Sequence, residues 1–110
     1  MIGRKPREEL LRQELNRIID RIDRVGIQKI ILFGSLAKGI VNPMSDIDLI
    51  IVKRTDQRFL DRLDTVYRQI EPSMAVDILV YTPEEIANMI QWNSFIKKAL
   101  DEGKVLYEAQ

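Results

Sequence analysis

Two aspartates, Asp46 and Asp48, sit at the head of the apolar run Ile47-Asp48-Leu49-Ile50-Ile51-Val52. Strand side chains alternate, so residues two apart point the same way, about 6.5–7 Å apart. Both carboxylates are therefore expected on one face. Like charges held together on a buried-looking strand repel and desolvate each other unless a cation neutralises them. Oxygen-only ligands favour Mg²⁺, Mn²⁺ or Ca²⁺ over zinc. Taken alone, the pair also fits a wet cap at the start of a strand. Asp77 sharpens the first reading. It interrupts Ala75-Val76-Asp77-Ile78-Leu79-Val80, where an unpaired carboxylate is costly. It either faces water on an edge strand or lies beside the strand carrying Asp46 and Asp48. In the latter case three carboxylates converge on one or two cations, the clamp used for in-line displacement at phosphorus.

Gly34-Ser35 precedes these residues. A glycine lets the backbone turn sharply beside a ligand, and the N–H groups at a helix start suit an anion. Ser35 adds a hydroxyl, and Lys38, one helical turn on, adds positive charge. Each also has a plain structural use, as a strand-to-helix turn and a surface lysine. Together they suggest a turn that holds a nucleotide's phosphates while aspartates hold metal ions against them.

Composition removes the main alternatives. The 110 residues include no cysteine and no histidine. A disulfide frame, a thiolate nucleophile, a Cys-type zinc site and a Ser–His or Cys–His pair are thereby excluded. Seventeen basic and 17 acidic side chains cancel, which argues against holding duplex nucleic acid by bulk charge. Arg4, Lys5 and Arg7 could touch nucleic acid, although a solvated terminus is the simpler reading. The charged N-terminal stretch carries no leader-like apolar run and nothing reaches membrane-span length, so the expected compartment is a reducing cytoplasm. The length fits one domain, residues 1–110.

The elements that must position these residues follow from periodicity. Leu11, Leu15, Ile18, Ile22 and Val25 form the stripe of an amphipathic helix over 7–25, with Pro6 at its start and Gly26 at its stop. Residues 27–33 read as a strand and 34–39 as a turn opening a short helix. Asn42-Pro43 marks a loop, and 46–52 a second strand. Residues 56–70 predict a helix with Leu60, Leu63, Tyr67 and Ile70 on one side, and 75–81 a third strand. Thr82-Pro83-Glu84-Glu85 is a capping box with proline at the first helical position, predicting a helix over 83–91. Another helix runs from Ser94 to Gly103, burying Phe95, Ile96, Ala99 and Leu100. Lys104 to Tyr107 reads as a short edge strand. The alternation predicts an α/β (α+β) fold, a small mixed sheet of three to four strands with helices packed on it.

These residues resemble the DNA polymerase beta-like nucleotidyltransferase superfamily. Its signature is Gly-Ser, ten residues, then Asp-x-Asp. Here that is Gly34-Ser35, Leu36 to Ser45, then Asp46-Ile47-Asp48. Phe33 and the run Ser45-Asp46-Ile47-Asp48-Leu49 are also similar, and Asp77 matches the family's third carboxylate. In size the chain is similar to the minimal nucleotidyltransferases. The resemblance implies Mg²⁺ (or Mn²⁺) and transfer of a nucleoside monophosphate, AMP from ATP, to a hydroxyl. It implies Asp46, Asp48 and Asp77 as metal ligands and catalytic residues, and Gly34, Ser35, Lys38 and Ser45 at the nucleotide. Many relatives carry arginine directly after the Gly-Ser; here it is Leu36, which leaves Lys38 as the main nearby cation. The usual partner of such minimal domains is a small helical HEPN-domain protein in a toxin–antitoxin pair. A homo-oligomer, and a non-catalytic module that neutralises a partner by contact, stay open beside this. Trp92 and Tyr81 could stack on a base but more simply pack, and Lys97-Lys98 reads as a wet helix face.

Overall fold

The computed structural model describes residues 6–110; the expectation for Arg4 and Lys5 lies outside them. The element order is α1 (Arg7–Arg21), β1 (Ile27–Phe33), α2 (Gly34–Lys38), β2 (Ile47–Lys53), α3 (Phe59–Ile70), β3 (Val76–Tyr81), α4 (Pro83–Met89), α5 (Ser94–Glu102) and β4 (Lys104–Glu108). The strands form one mixed sheet in the order β3-β2-β1-β4. β1 runs antiparallel to both β2 and β4, while β2 and β3 are parallel. The expected mixed sheet is therefore present, with Lys104–Glu108 as its fourth strand.

The two faces of the sheet are unequal. Ile47, Leu49 and Ile51 point into the larger core, which joins Leu11, Leu15 and Ile18 of α1 to Val66 and Ile70 of α3. The alternate residues Ile50 and Val52 point the other way. They meet Ile31, Ile96 and Ala99 in a smaller cluster flanked by Phe33, Leu79, Tyr81 and Ile86. Apolar residues on both faces of β2 are what a central strand requires.

α4 keeps the expected capping box: the Thr82 side chain accepts from the Glu85 N–H and the Glu85 side chain accepts from the Thr82 N–H. Three apolar expectations are corrected. α1 ends at Arg21 because Ile22 turns extended, and Val25 is left 77% exposed. α3 begins at Phe59, not at 56, so its buried stripe is Arg62, Val66 and Ile70 while Leu60 faces water. Arg62 can occupy that stripe because its guanidinium donates to Glu85 Oε1 at 2.7 Å and to the Val80 carbonyl at 3.2 Å. Phe95, expected inside, is 56% exposed, while Ile96 and Ala99 behind it are buried.

Gly103 closes α5 onto β1 with no room to spare. A β-carbon there would stand 2.7 Å from Ile31 Cγ2 and 2.8 Å from the Leu32 carbonyl oxygen. Among the described residues no helix is long and apolar enough to cross a membrane.

Candidate active site

Asp48 and Asp77 are direct partners in the β2–β3 register. Partners in adjacent parallel strands lie about 4.8 Å apart and project to the same face. That face is the one shared with Ile50 and Val52, over the smaller of the two core clusters. Asp77 is exposed because β3 is an edge strand, whereas Asp48 on the inner strand is half-buried. Asp77 thus faces water and also stands beside Asp48.

Asp46 lies one residue before β2, where the Ile47 N–H donates to the Ala75 carbonyl at 3.3 Å and ties the heads of β2 and β3 together. Its Oδ1 is 4.0 Å from Arg7 Nη2. The crowding of the three carboxylates has a clear electrostatic result. Burial, then the charges of Asp77 and Asp46, push the Asp48 carboxyl up from 3.8 to about 6. Each extra negative charge in a partly desolvated place favours the neutral form.

The glycine turn abuts this carboxylate. Gly34 has φ +77°, and a β-carbon on it would collide with Asp48 Oδ2. Ser35 Oγ donates to Ser45 Oγ at 2.9 Å, and Ser45 Oγ also accepts from the Asn42 N–H at 2.9 Å. Ser45, 5% exposed, therefore pins the turn to the loop before Asp46. Lys38 takes a different direction from the one expected for a phosphate ligand: its Nζ is 3.5 Å from Glu102 Oε1, with both side chains about half exposed at 48% and 49%.

Arg7 is the residue whose place the sequence did not reveal. Its Nη2 donates to the Ser45 carbonyl oxygen at 2.9 Å, across 38 positions of chain. Arg12, one turn on, donates to the Leu36 carbonyl at 3.2 Å. Helix α1 thus sets two guanidinium groups against the two segments that carry the motif. Nothing local in the sequence separates these arginines from the others on a charged helix. Tyr67 is a second such support: its hydroxyl donates to the Val76 carbonyl at 2.8 Å, directly before Asp77.

The donor set suits a hard divalent cation, since it offers carboxylate oxygens and excess negative charge. Among the described residues no three acidic side chains stand at the spacing of a finished metal cage. What is in place is the Asp48–Asp77 pair with Asp46 beside it.

Residues 13–110 match the family described as Polymerase beta, Nucleotidyltransferase. The chain is 34% identical over 100 residues to a Methanocaldococcus jannaschii protein named "Putative protein adenylyltransferase", covering 91% of this chain and 97% of that one. In fold it is similar to the crystal structure of a "putative nucleotidyltransferase" from Sulfolobus solfataricus, with a TM-score of 0.56, 19% identity and 98% and 93% of the two chains covered. It is also similar to a chain in a crystal structure of a toxin–antitoxin with AMP-PNP, with a TM-score of 0.54, 19% identity and 96% and 76% covered. With a family match over residues 13–110 and a 34% identical relative covered almost end to end, this chain belongs to the polymerase beta nucleotidyltransferase family.

Proposed function

We propose that this chain is a metal-dependent nucleotidyltransferase that moves AMP from ATP onto a hydroxyl of a partner protein. The observation that carries the reading is the register pairing of Asp48 with Asp77 beside the Gly34 turn. The name of the 34% identical relative supports adenylyl transfer to protein. We read residues 1–110 as one minimal catalytic domain working in the cytoplasm.

Asp46, Asp48 and Asp77 would hold Mg²⁺ or Mn²⁺, which supplies charge neutralisation at the phosphates. Gly34, Ser35 and Ser45 border the phosphates, and Lys38 is close enough in the chain to leave Glu102 for them. The acceptor hydroxyl oxygen attacks the α-phosphorus in line. A bond forms between that oxygen and phosphorus, the bond from the α-phosphorus to the bridging oxygen breaks, and pyrophosphate leaves with the electron pair. The hydroxyl proton passes to Asp77, the most water-accessible of the three carboxylates.

The partner is proposed to be a small helical HEPN-domain protein, with this chain as the antitoxin of the pair. The toxin–antitoxin neighbour supports that direction at the level of fold. A second reading, neutralisation of the partner by contact alone, draws on the exposed apolar side chains Trp92 and Ile90, 69% and 41% accessible.

The test is to incubate the chain with α-labelled ATP, Mg²⁺ and the protein encoded beside it, with Asp48→Ala as control. Label on the partner with wild type and none with Asp48→Ala supports transfer. A variant with Asp46, Asp48 and Asp77 all changed to alanine that neutralises the partner as well as wild type would instead establish the contact reading.

A further inference from the structure

A cavity of about 220 Å³ opens between α2 and α5, walled by Phe33, Gly34, Ala37, Phe95 and Ala99. Gly34 belongs both to this cavity and to the contact with Asp48. We propose that the cavity seats the nucleobase of the bound nucleoside triphosphate, with Phe95 as its stacking partner. This rests on the nucleotidyltransferase reading and adds where the base is held.

Phe95 and Phe33 meet edge to face, with ring centroids 5.7 Å apart and planes at 83°. Phe33 thereby fixes the orientation of a ring that keeps more than half its surface free, at 56% exposed. A phenylalanine held in place yet left open is a suitable platform for a flat heterocycle. Gly34, Ala37, Ala99 and Gly103 add small or apolar lining beside the two rings, and a phosphate set among these groups would lose its hydration. The charged groups Lys38, Lys98 and Glu102 also line the cavity, and both lysines are exposed. The Lys38–Glu102 pair is a solvent-exposed contact of 3.5 Å, the kind that contributes little and exchanges readily. A triphosphate whose base sits in the cavity would have Lys38 and Lys98 in the same lining and Gly34, which abuts Asp48, at its edge. A lining of two phenylalanines and two lysines suits a ligand with a flat apolar part and an anionic part, as a nucleotide has.

The experiment is calorimetric titration of the full chain, in Mg²⁺, with ATP and with inorganic tripolyphosphate, which carries three linked phosphates without the nucleoside. Phe95→Ala and Phe95→Tyr are compared with wild type, with melting temperature as the check on folding. Phe95→Ala is expected to weaken ATP about tenfold, to leave tripolyphosphate binding unchanged, and to be rescued by Phe95→Tyr. Equal weakening of both ligands, or of neither, overturns the base site while leaving the transferase reading intact. A wild-type chain that binds neither ligand overturns both.

Discussion

A β-carbon on residue 34 would occupy the space of the Asp48 carboxylate, and residue 34 also has a left-handed backbone. Glycine is therefore required twice at one position. A left-handed conformation alone costs other residues about 1–2 kcal/mol, and the collision adds to it. Gly34→Ala is expected to lower the melting temperature by roughly 5 °C or more and to abolish labelling of the acceptor. Thermal unfolding followed by circular dichroism, with the labelling assay in parallel, checks both effects.

Asp48 is held against its own charge. Because its folded pKa of about 6 lies above the unfolded 3.8, its stabilising contribution is greatest below pH 3.8 and is lost as pH rises through about 6. Asp48→Asn copies the neutral form. In chelator at pH 8 the variant should be more stable than wild type by about 1 kcal/mol, after discounting for solvent screening of a half-buried group. At pH 4 the difference should vanish. Urea unfolding at the two pH values measures it, while the same variant loses transfer activity.

Glu14 behaves in the opposite sense. It is 5% exposed, accepts from Arg17 Nε and Nη2 at 2.7 Å each and from the Ser73 N–H at 2.7 Å. These donors, Arg17 foremost, hold its carboxyl down from 4.5 to about 2. The stability it supplies is present above pH 4.5 and is lost as pH falls through about 2. Glu14→Gln should cost about 1–2 kcal/mol at pH 7 and flatten the stability profile between pH 4.5 and 2. Chemical denaturation across that interval distinguishes the variant from wild type.

Arg7 bridges the start of α1 to the loop before Asp46. Its side chain is 35% exposed, so Arg7→Ala should cost no more than about 1 kcal/mol of stability. Its effect on transfer should be larger, about tenfold in rate, because the Ser45–Ser35 link and Asp46 lose their anchor. Steady-state labelling rates beside melting curves separate the two effects.

How much of this was legible in the sequence depended on whether the signal was local. The spacing from Gly34-Ser35 to Asp46 and Asp48 is a local pattern, and the alternation of Asp48 with buried Leu49 and Ile51 follows from strand period alone. Asp77 was legible as an interruption of an apolar strand, but its pairing with Asp48 depends on β2 and β3 being parallel neighbours. Arg7, Arg12 and Tyr67 were not legible, because their contacts at the site are set by how helices lie across the sheet. The exposure of Val25, Leu60 and Phe95 has a related cause. Apolar periodicity tells which residues can be buried, but helix ends and the smaller core cluster on the second sheet face decide which ones are. The exposed Phe95 is the same residue that now borders the cavity beside Gly34.

The pairing of Asp48 with Asp77 as one cation-holding unit underlies the whole account, and Mn²⁺ binding followed by electron paramagnetic resonance tests it most directly. Wild type should bind Mn²⁺ competitively with Mg²⁺. Asp48→Asn and Asp77→Asn should each lose most of that affinity, and the double variant should lose little more than either alone. Unchanged Mn²⁺ binding in both single variants would contradict the account.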